Sequence, residues 1–75
     1  MKLEIEHPEH MSAHGLHMLN VIAVESKSLD EVAKFLQQCF GHRSVYKGGN
    51  HVAFHALVAV GATDMGDRTA VFTEG

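Results

Sequence analysis

Histidine is the residue type of this chain best suited to chemistry, since seven of the 75 residues are histidines. The imidazole side chain titrates near neutral pH and binds transition metals. Four histidines near the start are spaced by three, four and three residues: His7, His10, His14 and His17. In a helix these spacings would place all four side chains on one face. Because neutral imidazole binds Zn, Ni or Cu, the segment predicts a histidine-dependent metal site.

Three features count against this metal site. Pro8 and Gly15 interrupt a continuous helix. His17 falls in a segment whose apolar residues predict a strand. No cysteine pair accompanies the histidines, and their spacing differs from that of zinc motifs. An exposed polar loop whose histidines bind no metal is therefore the favoured alternative.

A second metal pair depends on the register of a predicted hairpin. Two apolar segments flank Gly48-Gly49-Asn50, a sequence typical of a tight chain reversal in which glycine adopts positive φ. With a Gly48-Gly49 loop, His42 would lie opposite His55, close enough for both to bind one ion. With a Gly49-Asn50 loop, Ser44 would lie opposite His55 instead, and the metal pair would be lost. The sequence leaves both registers open.

A helix is predicted from about Leu29 to Phe40. Ser28 can cap its first turn, and Glu31 completes a capping box. Apolar residues fill one arc of the helix and polar residues fill the other. Gly41 can end the helix in a left-handed conformation. Cys39 lies on the apolar arc, so we expect its thiol to be buried.

Five strands are predicted around this helix. Alternating or continuous apolar residues indicate strands at 2–6, 16–25, 42–47, 51–60 and 69–73. The order ββαβββ predicts an α+β fold, with one antiparallel sheet and one helix packed on one of its faces. Residues 1–75 would form a single domain, with residues 1–15 as a mobile or swapped arm in an alternative arrangement.

One helix covers one face of such a sheet and leaves the other face open. In either hairpin register Val45 shares a face with Val52 and Phe54, and we expect the helix to cover that face. The opposite face carries the residues that we predict to bind a partner: Tyr46, His51, His55 and Leu57, with Arg43 beside them. Tyrosine and histidine among small neighbours suit contact with a protein. The alternative is a partly solvent-exposed face that binds no partner.

Composition restricts the partners and the class of function. A formal net charge of −3 argues against nucleic acid, whose phosphates require clustered Lys and Arg. The longest apolar stretch, 52–60, is interrupted by His55 and is too short to span a membrane. A single cysteine and the absence of an export signal predict a cytoplasmic protein. Motifs of nucleophilic or phosphate-binding enzymes are missing, so no enzymatic activity is expected.

In size and predicted element order, the chain looks like the very small helix-on-sheet proteins encoded by phages and mobile elements, including some anti-CRISPR inhibitors. The resemblance concerns architecture alone, and a fold does not determine a function. We therefore predict a non-enzymatic binding module that acts on another protein or forms a homodimer, with an inhibitor role implied by the resemblance. Contact would use the open face or the edge of the last strand. The alternative is a Zn, Ni or Cu binding protein; otherwise no cofactor is expected.

Overall fold

The computed structural model describes residues 1–55 and 69–75. In chain order the elements are strand β1 (Lys2–Ile5), a 3-10 helix (Pro8–His10), helix α1 (Ala13–Glu25), helix α2 (Leu29–Phe40), a second 3-10 helix (His42–Ser44), and strands β2 (Val45–Lys47), β3 (Val52–His55) and β4 (Thr69–Thr73). This arrangement confirms the predicted α+β class. In the described residues, neither α1 nor α2 is long and apolar enough to cross a bilayer.

The four strands form one antiparallel sheet in the order β1-β4-β3-β2. Strand β4 therefore lies inside the sheet, paired with β1 on one side and β3 on the other. The prediction that the last strand offers a free edge is wrong. In the described part of the chain, the sheet edges are β1 and β2 instead.

Helix α1 occupies the segment in which a strand was predicted at 16–25, so the described sheet has four strands rather than five. That segment is apolar on every side, a pattern that fits a buried strand as well as a helix. Its buried residues are spaced by three and one, as one helical face requires: Leu19, Ile22 and Ala23. The Oγ atom of Ser12 caps the helix by accepting a hydrogen bond from the N–H of Gly15, at 3.0 Å.

Helix α2 has the predicted bounds, and its two ends form for the predicted reasons. The Oγ atom of Ser28 accepts a hydrogen bond from the N–H of Glu31 at 3.2 Å. The carboxylate of Glu31 accepts from the N–H of Lys27 (2.6 Å) rather than from Ser28, so the capping box is displaced by one residue. At the other end, Gly41 has φ +96° and donates its N–H to the carbonyl of Gln37.

Cys39 is exposed, which contradicts the predicted burial of its thiol. The apolar arc of α2 is wider than the strip of helix that the neighbouring elements cover. Four residues at the centre of the arc are buried: Leu29, Val32, Ala33 and Leu36. Phe35 and Cys39 lie at its margin and stay exposed.

Both helices contribute to one core against one face of the sheet. Helix α1 contacts β1, whereas α2 contacts β2, β3 and β4. The largest fully buried side chains come from both layers: Phe54, Phe72, Leu19, Leu36, Val32 and Val52. Val45 lies opposite Phe54 in the sheet and packs against this core, as predicted. The covering layer thus consists of two helices, not the single predicted helix.

Candidate protein-binding surface

The sheet face opposite the two helices is the candidate site, and we call it the open face. Side chains alternate between the two faces of a strand, so the strand registers assign the following residues to it: Lys2, Glu4, Tyr46, Ala53, His55 and Val71, with the two threonines of β4. His51, immediately before β3, shares the parity of Ala53 and His55. Of these side chains, Lys2, Glu4 and Tyr46 are exposed and the others are half-buried.

The hairpin adopts the Gly49-Asn50 register of the two that the sequence left open. Lys47 lies opposite Val52, and the N–H of Gly48 donates to the carbonyl of His51 at 2.9 Å. The alternative register, in which His42 would face His55, is therefore not adopted. Strand β2 begins at Val45, and His42 belongs to the preceding 3-10 helix.

Ser44 is absent from the open face, although the strand prediction placed it there. It ends the second 3-10 helix and is buried. Its hydroxyl donates to the carbonyl of Phe40 at 3.1 Å. One of the carbonyls that an α-helix leaves unpaired at its C-terminus is satisfied in this way.

Tyr46 and His51 form an aromatic pair at the β2 edge of the open face. Their ring centroids lie 5.9 Å apart with an interplanar angle of 39°. The exposed fraction of Tyr46 is 65%, although the residue belongs to a hydrogen-bonded strand. His51 also forms a hydrogen bond with Asn50, whose Oδ1 lies 3.2 Å from Nδ1 of the His51 ring. The Tyr46 ring is thus accessible to a partner and is in contact with the ring of His51.

Gly48 gives the His51 ring its space. A Cβ atom at Gly48 would lie 2.5 Å from Cε1 and 2.9 Å from Nδ1 of that ring. The turn sequence was predicted to need glycine for positive φ, but neither Gly48 nor Gly49 has it. The requirement at Gly48 is therefore steric and comes from the aromatic pair.

Gly48→Ala is expected to displace the imidazole of His51 and separate it from Tyr46. Because the ring is half-buried and can rotate away, we expect the free energy of unfolding to change by less than about 1 kcal/mol. The measurement is NMR of the His51 ring protons, which should lose their nuclear Overhauser contacts with Tyr46. Gly49→Ala is the matched control, since its Cβ would meet nothing within 4 Å. Equal spectra for both variants would contradict the steric role.

The other predicted contact residues lie around this pair. His55 is half-buried on the open face at the end of β3, and its Nδ1 atom is buried. Arg43 is exposed on the 3-10 helix that leads into β2. Leu57 lies outside the described residues. The structure therefore brings Tyr46, His51 and His55 to one face, with Arg43 in the segment beside it.

The four N-terminal histidines do not share a helix. His7 and His10 belong to the first 3-10 helix and its cap, and the chain is then extended at Met11. His14 and His17 lie in α1, where both are exposed. The prediction of a strand at His17 is wrong. The break at Met11 separates the four histidines into two pairs.

Among the side chains that the structure describes, no three His, Cys, Asp or Glu residues are grouped so that they could hold a metal ion. The Nδ1 atom of His7 lies 3.6 Å from Oε2 of Glu9. Zinc sites in proteins have three or four protein ligands. Metal binding by His7, His10, His14, His17, His42 or His55 stays a prediction from residue type.

Helix α1 carries an exposed apolar strip that the strand prediction hid. Val24 is 82% exposed and Val21 is 39% exposed. With His14 and His17 they follow a spacing of three, four and three residues, which lines one side of a helix. That spacing was visible in the sequence, but it indicates a common face only once the segment is known to be helical.

Comparison with known proteins finds no relative: no family model matches the sequence, and neither a curated protein nor a solved structure matches it significantly. The function must therefore be inferred from the chemistry of the chain's own surfaces.

Proposed function

We propose that this protein is a small, non-enzymatic binding module that contacts another protein through the open face, with Tyr46 and His51 at the centre of the contact. The observation that carries the proposal is the exposed Tyr46 ring, held against His51 on a regular strand. Tyrosine is enriched among the residues that dominate the energy of protein interfaces. Its ring supplies apolar area, and its hydroxyl supplies a hydrogen bond.

The position of Tyr46 is fixed before any partner binds. Strand β2 pairs with β3 on one side. On the helix face, the Lys47 ammonium lies 3.2 Å from the Asp30 carboxylate in the first turn of α2. The backbone that carries Tyr46 is therefore already ordered, and binding does not have to supply the entropy of ordering it. The aromatic pair is therefore suited to be a preformed contact.

The surroundings of the aromatic pair resemble the arrangement of an interface. Ala53 lies directly opposite Tyr46, and Val71 lies opposite Ala53, so small apolar side chains continue from the tyrosine across the sheet. His55 lies further along β3, and exposed Arg43 supplies a charge near the β2 edge. An apolar centre with polar groups at the rim is typical of protein interfaces.

The inhibitor role stays a prediction, because it was implied only by the resemblance to small phage and mobile-element proteins. It depended on the element order ββαβββ, and α1 replaces the second strand of that order. The proposal made here depends on the exposed aromatic pair and not on that resemblance.

Tyr46→Ser is expected to reduce partner capture at least tenfold, which corresponds to about 1.4 kcal/mol of binding free energy. The measurement is quantitative affinity capture of the tagged chain from its native host. Val24→Ser is the matched control, because Val24 is an exposed apolar residue in the helical layer. Both variants should melt within a few degrees of the parent. Equal capture by all three chains, or a loss confined to Val24→Ser, would refute binding through the open face.

A further inference from the structure

In the part of the chain that the structure describes, strand β1 forms the sheet edge farthest from Tyr46, and its outer side pairs with no other described strand. By continuation of the register, Glu6 lies opposite Thr69, and its N–H donates to the carbonyl of Thr69 at 3.0 Å. Pairs in an antiparallel ladder alternate between hydrogen-bonded and non-hydrogen-bonded. Glu4 and Lys2 therefore direct their backbone groups to β4. Leu3 and Ile5 direct theirs away from the described sheet.

The side chains of β1 differ sharply between its two faces. On the open face, Lys2 and Glu4 carry opposite charges and are 62% and 72% exposed, with Nζ and Oε1 3.4 Å apart. On the helix face, Leu3 and Ile5 are half-buried and pack against the core. The strand thus continues the core to the edge of the sheet and presents two charges of opposite sign beside it.

We propose that β1 pairs antiparallel with β1 of a second copy of this chain, about a two-fold axis at Leu3. In this register Lys2 lies opposite the partner's Glu4, and Glu4 lies opposite the partner's Lys2. Facing side chains of an antiparallel pair are about 5 Å apart at Cβ, so both cross-strand pairs are attractive. Leu3 exchanges both backbone hydrogen bonds with the partner's Leu3, as its outward groups require.

Charge selects this register over the nearest alternative. A shift of one residue would place the charged face of one strand beside the apolar face of the other. If one strand slides by two residues relative to the other, the two-fold axis moves from Leu3 to Glu4. The two Glu4 side chains would then face each other at about 5 Å. That register also contains two attractive pairs, because Lys2 of each copy would lie opposite the partner's Glu6. The Leu3-centred register has the same number of attractive pairs and avoids the like-charge pair of the two Glu4 carboxylates.

The β2 edge is less suited to the same pairing. It has three residues, and the middle one, Tyr46, belongs to the proposed protein contact. Lys47 lies at its end with its ammonium directed to Asp30. A lysine on a short edge strand is a common means of preventing edge pairing. In β1, by contrast, both charges can be matched by the second copy.

The proposed dimer joins two four-stranded sheets into one eight-stranded sheet. The strand is short, so the buried area is smaller than the roughly 800 Å² per partner of a standard interface. We therefore expect a weak dimer, with a dissociation constant on the order of 10 μM. Both open faces would lie on the same side of the joined sheet, with the two Tyr46 side chains at its outer ends.

Charge exchange at β1 tests the dimer and its register together. Sedimentation equilibrium of the full chain over about 1 μM to 1 mM should show a monomer–dimer equilibrium. Lys2→Glu alone, or Glu4→Lys alone, creates two like-charge pairs and should weaken the dimer at least tenfold. The double variant restores two attractive pairs and should recover the parent affinity to within about threefold. An equimolar mixture of the two single variants should form a heterodimer.

Two controls separate this contact from other causes. Lys34→Glu makes the same charge change at an exposed site on α2 and should leave the dimer intact. The amide protons of Leu3 and Ile5 should become protected from exchange as concentration rises. A chain monomeric at 1 mM, a dimer insensitive to Lys2→Glu, or a double variant that fails to recover would overturn the proposal. Tyr46→Ser should leave the dimer unchanged, so failure here is distinct from failure of the proposed function.

Discussion

Phe72→Ala is expected to remove a large part of the stability of the protein. Phe72 is fully buried in the internal strand β4, opposite Leu3 in β1 and Val52 in β3. Truncation of a buried phenylalanine typically costs about 3–5 kcal/mol. A chain of this length has on the order of 4–11 kcal/mol in total. The loss arises from the centre of the core, where three strands meet the helical layer.

The measurement is a thermal melt followed by circular dichroism. At about 4–8 °C per kcal/mol for a domain of this size, Phe72→Ala should lower Tm by roughly 12–40 °C. Val71→Ala is the matched control, because Val71 is the neighbouring residue on the open face and is only half-buried. It should cost about 1 kcal/mol or less. Equal shifts for both variants would mean that the core does not lie on the helix side of the sheet.

Gly41→Ala is expected to cost about 1–3 kcal/mol through backbone strain. Gly41 has φ +96° and ψ +158°, a region that side-chain-bearing residues rarely adopt. A Cβ atom there would meet nothing within 4 Å, so steric collision contributes nothing to the cost. The conformation matters because Gly41 separates α2 from the 3-10 helix that leads into β2. At the end of α2, the Phe40 ring packs 4.7 Å from the ring of Phe54.

Urea unfolding of Gly41→Ala and Gly49→Ala measures this strain directly. Gly49 also has open space at the Cβ position, but its φ is not positive. Alanine at Gly49 should therefore leave stability unchanged or raise it by about 0.4–1 kcal/mol. If the two variants were equally stable, the left-handed conformation at Gly41 would not be required by the fold.

The proposed contacts use opposite edges of one sheet and are compatible with each other. Tyr46 lies on β2 and Lys2 lies on β1, with β3 and β4 between them. A dimer joined at β1 would present two open faces to a partner, and two linked contacts bind more strongly than one when geometry allows both. Each proposal nevertheless depends on its own residues and fails independently.

The open face was predictable in part because two-residue periodicity is local. Val45, Val52 and Phe54 could be assigned to one face from the sequence, and Tyr46 and His51 to the other. The contact between the Tyr46 and His51 rings, and the space that Gly48 leaves for it, were not predictable, since the turn sequence permitted two registers. The β1 site was hidden for another reason: β1 pairs with β4, about 70 residues away, and no local pattern encodes such a pairing.

The sequence by itself determined α2, because a strongly amphipathic segment with a serine cap and a terminal glycine has one favourable local structure. It also determined the α+β class and the alternation of the hairpin faces. Only the tertiary structure decided that 16–25 is helical, because apolar residues on all sides suit either a buried strand or a helix. It likewise decided that β4 is internal and β1 is an edge. Strand order depends on which distant segments share the core, and burial there is a property of the whole fold.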